Sequence, residues 1–202
     1  TKSQAFVLNN SVKLGLRKKS IAANLVSSWL YGEQQNNRTN NDFITTADFN
    51  LCKTFPRFYY WGLGNYTSSY SLKIIDQYQG GAGIAYNVFD RKDLWLNVSD
   101  GLMHESSNVL MADTANRYST WRNSLRVSFR VVVQKTITLS ATTFYQNSLS
   151  DRTDYILRSN AAMNIKILKW LSMSATYTYN KYSRTNRENT ILNYGLTIDK
   201  YF

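Results

Sequence analysis

Three arginines, Arg122, Arg126 and Arg130, stand four residues apart in a stretch that alternates polar and apolar side chains. Successive side chains of a strand point to opposite faces, so residues four apart share one face. Guanidinium forks gathered on one face suit carboxylate or phosphate groups. By the same parity Lys13, Arg158 and Lys166 fall on the polar side of their own segments, and the acidic residues expected there are few, chiefly Asp48, Glu105 and Asp199. Two readings stay open. The cations line a path or binding site for anionic or polar solutes, since a charge-lined cleft of low dielectric focuses potential. Alternatively they pair with those carboxylates and with Asn and Thr side chains, and fill an interior.

Other chemistries have less to stand on. The chain holds one histidine, His104, next to Glu105, Ser106 and Ser107. A lipid hydrolase would need a serine nucleophile, a histidine base and an orienting polar group within hydrogen-bond reach. Asp100 shares the parity of His104, but no nucleophile motif flanks any serine, so a hydrolase is the minor alternative. One His and one Cys (Cys52) far apart do not make a metal site, and no cofactor is expected. Gly80-Gly81-Ala82-Gly83 lies in a strand pattern with no helix after it, which rules out a phosphate loop. Glycines there would let the wall bend or a large side chain cross the interior.

The elements that must position these residues are long strands. Of 202 residues 43% are hydrophobic, and mean hydropathy is −0.40. No run approaches the roughly 18 apolar residues of a membrane helix, but a barrel strand shows lipid only every second residue and keeps a low average. Fifteen Tyr, five Trp and a single Pro suit strands with one wet face and aromatic belts at two interfaces. The alternation is clear where Trp121, Leu125, Val127, Phe129 and Val131 interleave with Arg122, Ser124, Arg126, Ser128 and Arg130. It recurs where Leu171, Met173, Ala175, Tyr177 and Tyr179 interleave with Ser172, Ser174, Thr176, Thr178 and Asn180. The spacing predicts eleven strands, at 4–17, 20–33, 41–53, 57–69, 74–88, 93–105, 116–133, 136–148, 153–168, 170–183 and 189–202. Most exceed the ~5–6 residues of a soluble sandwich strand and are long enough to cross a bilayer at a tilt.

The expected fold is therefore one all-β domain over 1–202, an antiparallel up-and-down transmembrane barrel in the outer membrane of a Gram-negative bacterium. Short turns are expected near Lys18-Lys19, Phe55-Pro56, Asp90-Arg91-Lys92, Gln134-Lys135 and Lys169. Long polar loops are expected at 34–40, 70–73, 106–115, 149–152 and 184–188. Short turns face the periplasm in such barrels, and strand numbers are usually even. That implies a twelfth strand upstream of Thr1, with both termini periplasmic. The last strand carries Gly195 and Ile198 and stops at Phe202, a terminal aromatic of the kind by which the barrel-assembly machinery recognises its substrates. Aromatics gather near the short turns (Phe55, Phe58, Tyr59, Tyr60, Phe89, Trp95, Trp170, Tyr201, Phe202) and near the long loops (Trp29, Tyr31, Tyr66, Tyr118, Trp121, Tyr145, Tyr155, Tyr177, Tyr179).

The net charge of +11 implies an anionic partner. No nucleic-acid-binding motif is present, so outer-membrane lipids are the expected one; cations at the short turns meet lipid phosphates or a periplasmic partner, or are simply solvated turn charges, the last being favoured. Loop 104–117 is the expected plug or contact with other envelope proteins, since Val109, Leu110 and Met111 would be odd in water.

Gly81-Ala82-Gly83-Ile84-Ala85-Tyr86, followed by Leu94-Trp95-Leu96-Asn97-Val98-Ser99-Asp100-Gly101, resembles the salt-induced outer-membrane protein family, a β-barrel family whose domain has no known function. Thr1-Lys2-Ser3 is similar to the residues after the tip of that family's first hairpin. Ala85 replaces a usual glycine, and Ser68-Ser69 stand where an acidic residue is usual. The resemblance implies location and architecture, with no catalytic residues. Two classes of function follow: a small pore or binding barrel with a basic lumen, or a filled accessory barrel that works through its loops within a larger envelope complex.

Overall fold

The computed structural model describes residues 5–18, 20–51, 57–111, 114–168 and 170–198. Eleven strands form one sheet in sequence order, every neighbouring pair antiparallel. They are β1 (Ala5–Lys18), β2 (Ile21–Gln34), β3 (Asn37–Leu51), β4 (Phe58–Ser69), β5 (Ile74–Asp90) and β6 (Leu94–Met111), then β7 (Thr114–Val133), β8 (Ile137–Ser148), β9 (Tyr155–Leu168), β10 (Leu171–Tyr182) and β11 (Arg187–Ile198). Among the described residues β1 and β11 are the two edges and run in the same direction, so one strand set between them would be antiparallel to both.

Burial is inverted relative to a soluble protein. On β7 Arg122, Ser124 and Ser128 are buried while Trp121, Leu125 and Val127 are exposed. Polar groups hydrogen-bond one another on the concave face, and apolar groups cover the convex one, as a wall standing in lipid requires. The sheet is curled, because strands far apart in the order touch across the concave side. Gln79 of β5 donates to Gln146 of β8 at 3.1 Å, Arg158 of β9 reaches Gln77 of β5 at 3.1 Å, and Asn189 of β11 donates to Ser71 at 3.2 Å.

The aromatics map onto two belts with three exceptions, Tyr59, Trp95 and Tyr118, the last donating its hydroxyl to buried Glu105 at 2.6 Å. Towards the loop end Trp29, Phe43, Tyr78, Trp121, Tyr145 and Tyr177 lie on the outer face, with Phe43–Tyr66 centroids 6.1 Å apart and Tyr66–Tyr78 5.0 Å apart. Phe58, Tyr60, Phe89 and Trp170 form the exposed turn-side group. From Phe58 to Tyr66 the chain rises about 26 Å at ~3.3 Å per residue, or roughly 20 Å of depth at a tilt near 40°, comparable with the ~25 Å apolar band of a barrel wall. Tyr59 and Trp95 instead point inward: the Tyr59 hydroxyl donates to Asn97 at 3.1 Å, and Trp95 stands opposite inward Arg130. Parity, not nearness to a turn, decides the side.

The expected alternation of short turns and long loops is not observed. Segment 34–40 is a two-residue turn, Gln35-Asn36, with φ of 51° and 62°, and Asn37–Asn40 already belong to β3. Segment 106–115 is strand on both sides, β6 running to Met111 and β7 starting at Thr114. A ladder satisfies backbone groups whether side chains are polar or not, so pairing continues past the point where the lipid-facing pattern stops. The two ends of the sheet differ in strand overhang, with 18 residues in β6 and 20 in β7. The turn at Phe55-Pro56, Thr1-Lys2-Ser3 and the terminal Phe202 lie outside the described residues.

Both turn residues in Gln35-Asn36 hold the left-handed conformation of a type I′ hairpin, which costs a non-glycine side chain roughly 1–2 kcal/mol. Replacing Gln35-Asn36 by Asn-Gly is expected to stabilise the folded protein by about 1 kcal/mol, seen as a higher urea midpoint with an unchanged slope.

Candidate functional site

The six basic candidates do not form one site. Arg122 is locked. Its side chain is fully buried, with Nε donating to Glu105 Oε2 at 2.7 Å and Nη2 to Asp154 Oδ1 at 2.9 Å. Asp154 closes the β8–β9 loop and also takes Arg184 of the β10–β11 turn at 2.6 Å. Glu105 receives further bonds from the Tyr118 hydroxyl at 2.6 Å, Gln79 at 2.7 Å and Ser107 at 3.1 Å. Two guanidiniums face two carboxylates, so the cluster is neutral and its acceptors are satisfied, which is what makes a buried charge tolerable. Arg184 also lies over the Tyr118 ring at 3.8 Å. Sequence parity anticipated Glu105. Asp154 shares the parity of Arg158 in the strand expected at 153–168 but was not singled out there, and Arg184 was missed because it lies in a connection, where alternation assigns no face.

Above this cluster lies an apolar cap of Leu72, Ile74, Val109, Ile156 and Tyr182. Loop 104–117 is therefore not a free plug: Val109 is 1% exposed and belongs to β6, and the capping turn is Tyr70–Lys73. Asp42 of β3 holds that turn, accepting from Ser69 Oγ at 2.7 Å, the Ser71 amide at 3.0 Å and Ser71 Oγ at 2.7 Å.

The middle of the concave face is narrowed by Trp61 of β4. It lies against Gly83 of β5 and Gly101 of β6, where an added Cβ would stand 2.7 Å and 2.5 Å from the indole. Its Nε1 donates to the Ile84 carbonyl at 3.2 Å, and Ala85 and Met103 complete the cluster. The glycines thus let a large side chain cross the interior, one of the two uses expected of them. Arg126 sits beside this group, donating to the Tyr59 hydroxyl at 3.1 Å, while its Nε and Ser99 Oγ have no hydrogen-bond partner among the described residues. Both residues line a cavity of about 10 Å³, close to what a single water occupies.

Beside the filled half a cavity of about 670 Å³ opens on the concave face of β1–β5 and β8–β11. Its lining mixes Ser, Thr, Asn and Gln with apolar residues such as Leu30, Ile44, Leu63 and Phe144, and its charged members are Lys13, Arg158 and Asp42. Arg158 donates to Gln77, to Gln79 at 3.2 Å and, through a short contact, to the Tyr182 hydroxyl, so it is held in place by neutral partners. Arg130 and Lys166 lie further towards the turns and are exposed. Asp48 accepts from Asn24 at 2.9 Å and Asn50 at 3.0 Å rather than from a cation, and Asp199 falls outside the described residues. In the β8–β9 loop the Thr153 hydroxyl and amide hold the Asp151 carboxyl below its ordinary range.

On the convex face Ser119 Oγ lies 2.8 Å from His104 Nε2, with Trp121 packed edge-on against the imidazole at 5.1 Å. That is a nucleophile–base distance, but among the described residues no side chain is hydrogen-bonded to the other ring nitrogen to orient it. Asp100 is engaged instead by Asn123 at 2.9 Å. Among the described residues no three His, Cys, Asp or Glu side chains come together as a metal set, and no helix is long and apolar enough to cross a membrane, which says nothing of crossing by strands.

The fold is similar to solved porins. The NanC porin matches with a TM-score of 0.57 at 10% identity, covering 98% of this chain and 97% of that one. The KdgM porin gives 0.48 at 14% identity, with 98% of each chain covered. No curated protein matches the sequence. The NanC match supports the architecture: this is a porin-like β-barrel wall, the kind of fold that stands in the bacterial outer membrane. A family profile covers residues 1–198, and with it the resemblance read from the glycine strand is established: the chain belongs to the family described as a protein of unknown function, DUF481, whose members commonly carry the salt-induced outer-membrane protein name.

Proposed function

We propose that this chain walls a small barrel that binds or passes polar and anionic solutes, without catalysis. The observation that carries this reading is the 670 Å³ cavity, whose polar lining is hydroxyls and carboxamides and in which Lys13 and Arg158 exceed the single carboxylate of Asp42. Such a lining exchanges hydrogen bonds with hydrated solutes at little cost, and its positive excess favours anions. The loop end faces outward and the turn end faces the periplasm, an orientation supported by the overhang of β6 and β7 at the loop end. Outer-membrane lipids meet the convex face, and β11, with Gly195 and Ile198, is the strand offered to the assembly machinery along with Phe202.

Single-channel recording of the full-length protein in planar bilayers tests this. Anion-selective steps are expected, with reversal potentials moving towards zero in Lys13→Gln and Arg158→Gln. Silence from a folded, heat-modifiable sample would discard conduction and favour the second reading, a filled accessory barrel. That reading has its own support in the neutral Arg122–Glu105–Asp154–Arg184 cluster and the cap formed around Leu72.

A further inference from the structure

Charge on the concave face is lopsided. Among the described residues Arg122 and Arg184 meet carboxylates and Arg158 meets fixed neutral partners. At the turn end a second cavity of about 470 Å³ is lined by Arg91, Lys92 and Arg130, together with Trp95, Phe129, Ser140 and Thr142, and among the described residues no acidic side chain lines it. Among the described residues none of the three cations has an ion-pair partner.

The backbone fixes this convergence. Trp95 and Ser140 are the register partners of Arg130 on its two sides, so all three share one stretch of inner face. The β5–β6 turn is tied down by Arg91 N–H to the Leu94 carbonyl at 2.9 Å and by Val132 N–H to the Asp93 carbonyl at 2.7 Å. Those bonds hold Arg91 and Lys92 beside the end of β7. Thr142 gives its hydroxyl proton to Ser128 at 3.0 Å, which leaves Ser140 as the hydroxyl donor free to a ligand.

We propose that this pocket is a phosphoryl-binding site at the turn-end mouth of the lumen. Three cations and a hydroxyl lining one pocket suit the several oxygens of an anionic phosphoryl group. Trp95 supplies an apolar plane for the uncharged remainder of the ligand. The proposal deepens the solute reading above by naming the group that is recognised. The phosphoryl group comes either from a solute in the lumen or from a phospholipid headgroup of the periplasmic leaflet.

Calorimetric titration of the full-length protein separates these sources. Inorganic phosphate and pyrophosphate are added to protein in a phosphate-free maltoside detergent. In a second arm protein reconstituted with phosphatidylglycerol or phosphatidylcholine is titrated with pyrophosphate. Saturable binding in detergent, weakened by roughly tenfold or more in an Arg91→Gln, Lys92→Gln, Arg130→Gln variant that keeps its heat-modifiability, supports the site. If either phospholipid abolishes that binding, the headgroup is the source; if neither does, it is the solute. The milder Arg130→Lys should keep binding to within a few fold and guards against a folding artefact. No saturable binding by the parent protein, or equal binding by parent and triple variant, overturns the site. A silent barrel that still binds phosphate keeps the site and loses only conduction, whereas a conducting barrel indifferent to the triple change does the reverse.

Discussion

Arg122→Met is expected to destabilise the folded barrel by about 3–5 kcal/mol, the cost of leaving a buried ionic partner uncompensated. The side chains of Arg122 and Glu105 are both wholly buried, and Arg122 is the link between Glu105 and Asp154. Removing the guanidinium strands two carboxylates, of which Asp154 keeps Arg184 and Glu105 keeps only neutral donors. Urea unfolding in detergent micelles, followed by tryptophan fluorescence and heat-modifiability, measures this. The double variant Glu105→Gln, Arg122→Met should recover a large part of the loss, because no unpaired charge remains at Glu105. If Arg122→Met unfolds at the parent midpoint, the cluster is not holding the wall, and the arginine row regains its place as a solute-facing element.

Gly83→Ala and Gly101→Ala are expected to cost about 1–3 kcal/mol each, the range for overpacking a filled interior, and to slow assembly. At Gly83 the new carbon would lie 2.6 Å from Gly101 Cα and 2.7 Å from Trp61 Cε2, and would also press on the Asp100 carbonyl. Gly64→Ala and Gly80→Ala are the matched controls, since a Cβ there meets nothing within 4 Å, and both should fall within about 0.5 kcal/mol of the parent. Adding Trp61→Ala to Gly101→Ala should restore only part of the stability, because the Ala82 carbonyl stands 2.5 Å from the added carbon as well. Equal behaviour of all four glycine variants would mean that the Trp61 contact is not what requires glycine.

These two predictions separate what the amino-acid pattern can specify from what it cannot. Period-two alternation over a dozen residues determined the strands, their number and their faces, because a one-residue slip would turn every lipid-facing side chain inward. Thus Leu125 and Val127 face out and Ser124 and Ser128 face in, as parity required. Strand ends were less legible. At Asn37–Asn40 and Asn108–Met111 the ladder continues into polar or mixed sequence, since backbone pairing is indifferent to side-chain polarity.

The interior was legible only as a list of candidates. Parity placed Arg122, Arg126 and Arg130 on one inner face, yet their surroundings differ completely. One is locked between two carboxylates, one leans on Tyr59 and Phe144, and one stands exposed at the turn end. Those differences come from the curl of the sheet, which brings Asp154 of the β8–β9 loop to Arg122 and Gln77 of β5 to Arg158. Sequence alone determined which face each side chain takes, because that depends on the strand's own geometry. Which side chains meet across the lumen was decided by tertiary structure, because it depends on how eleven strands are bent around a common space.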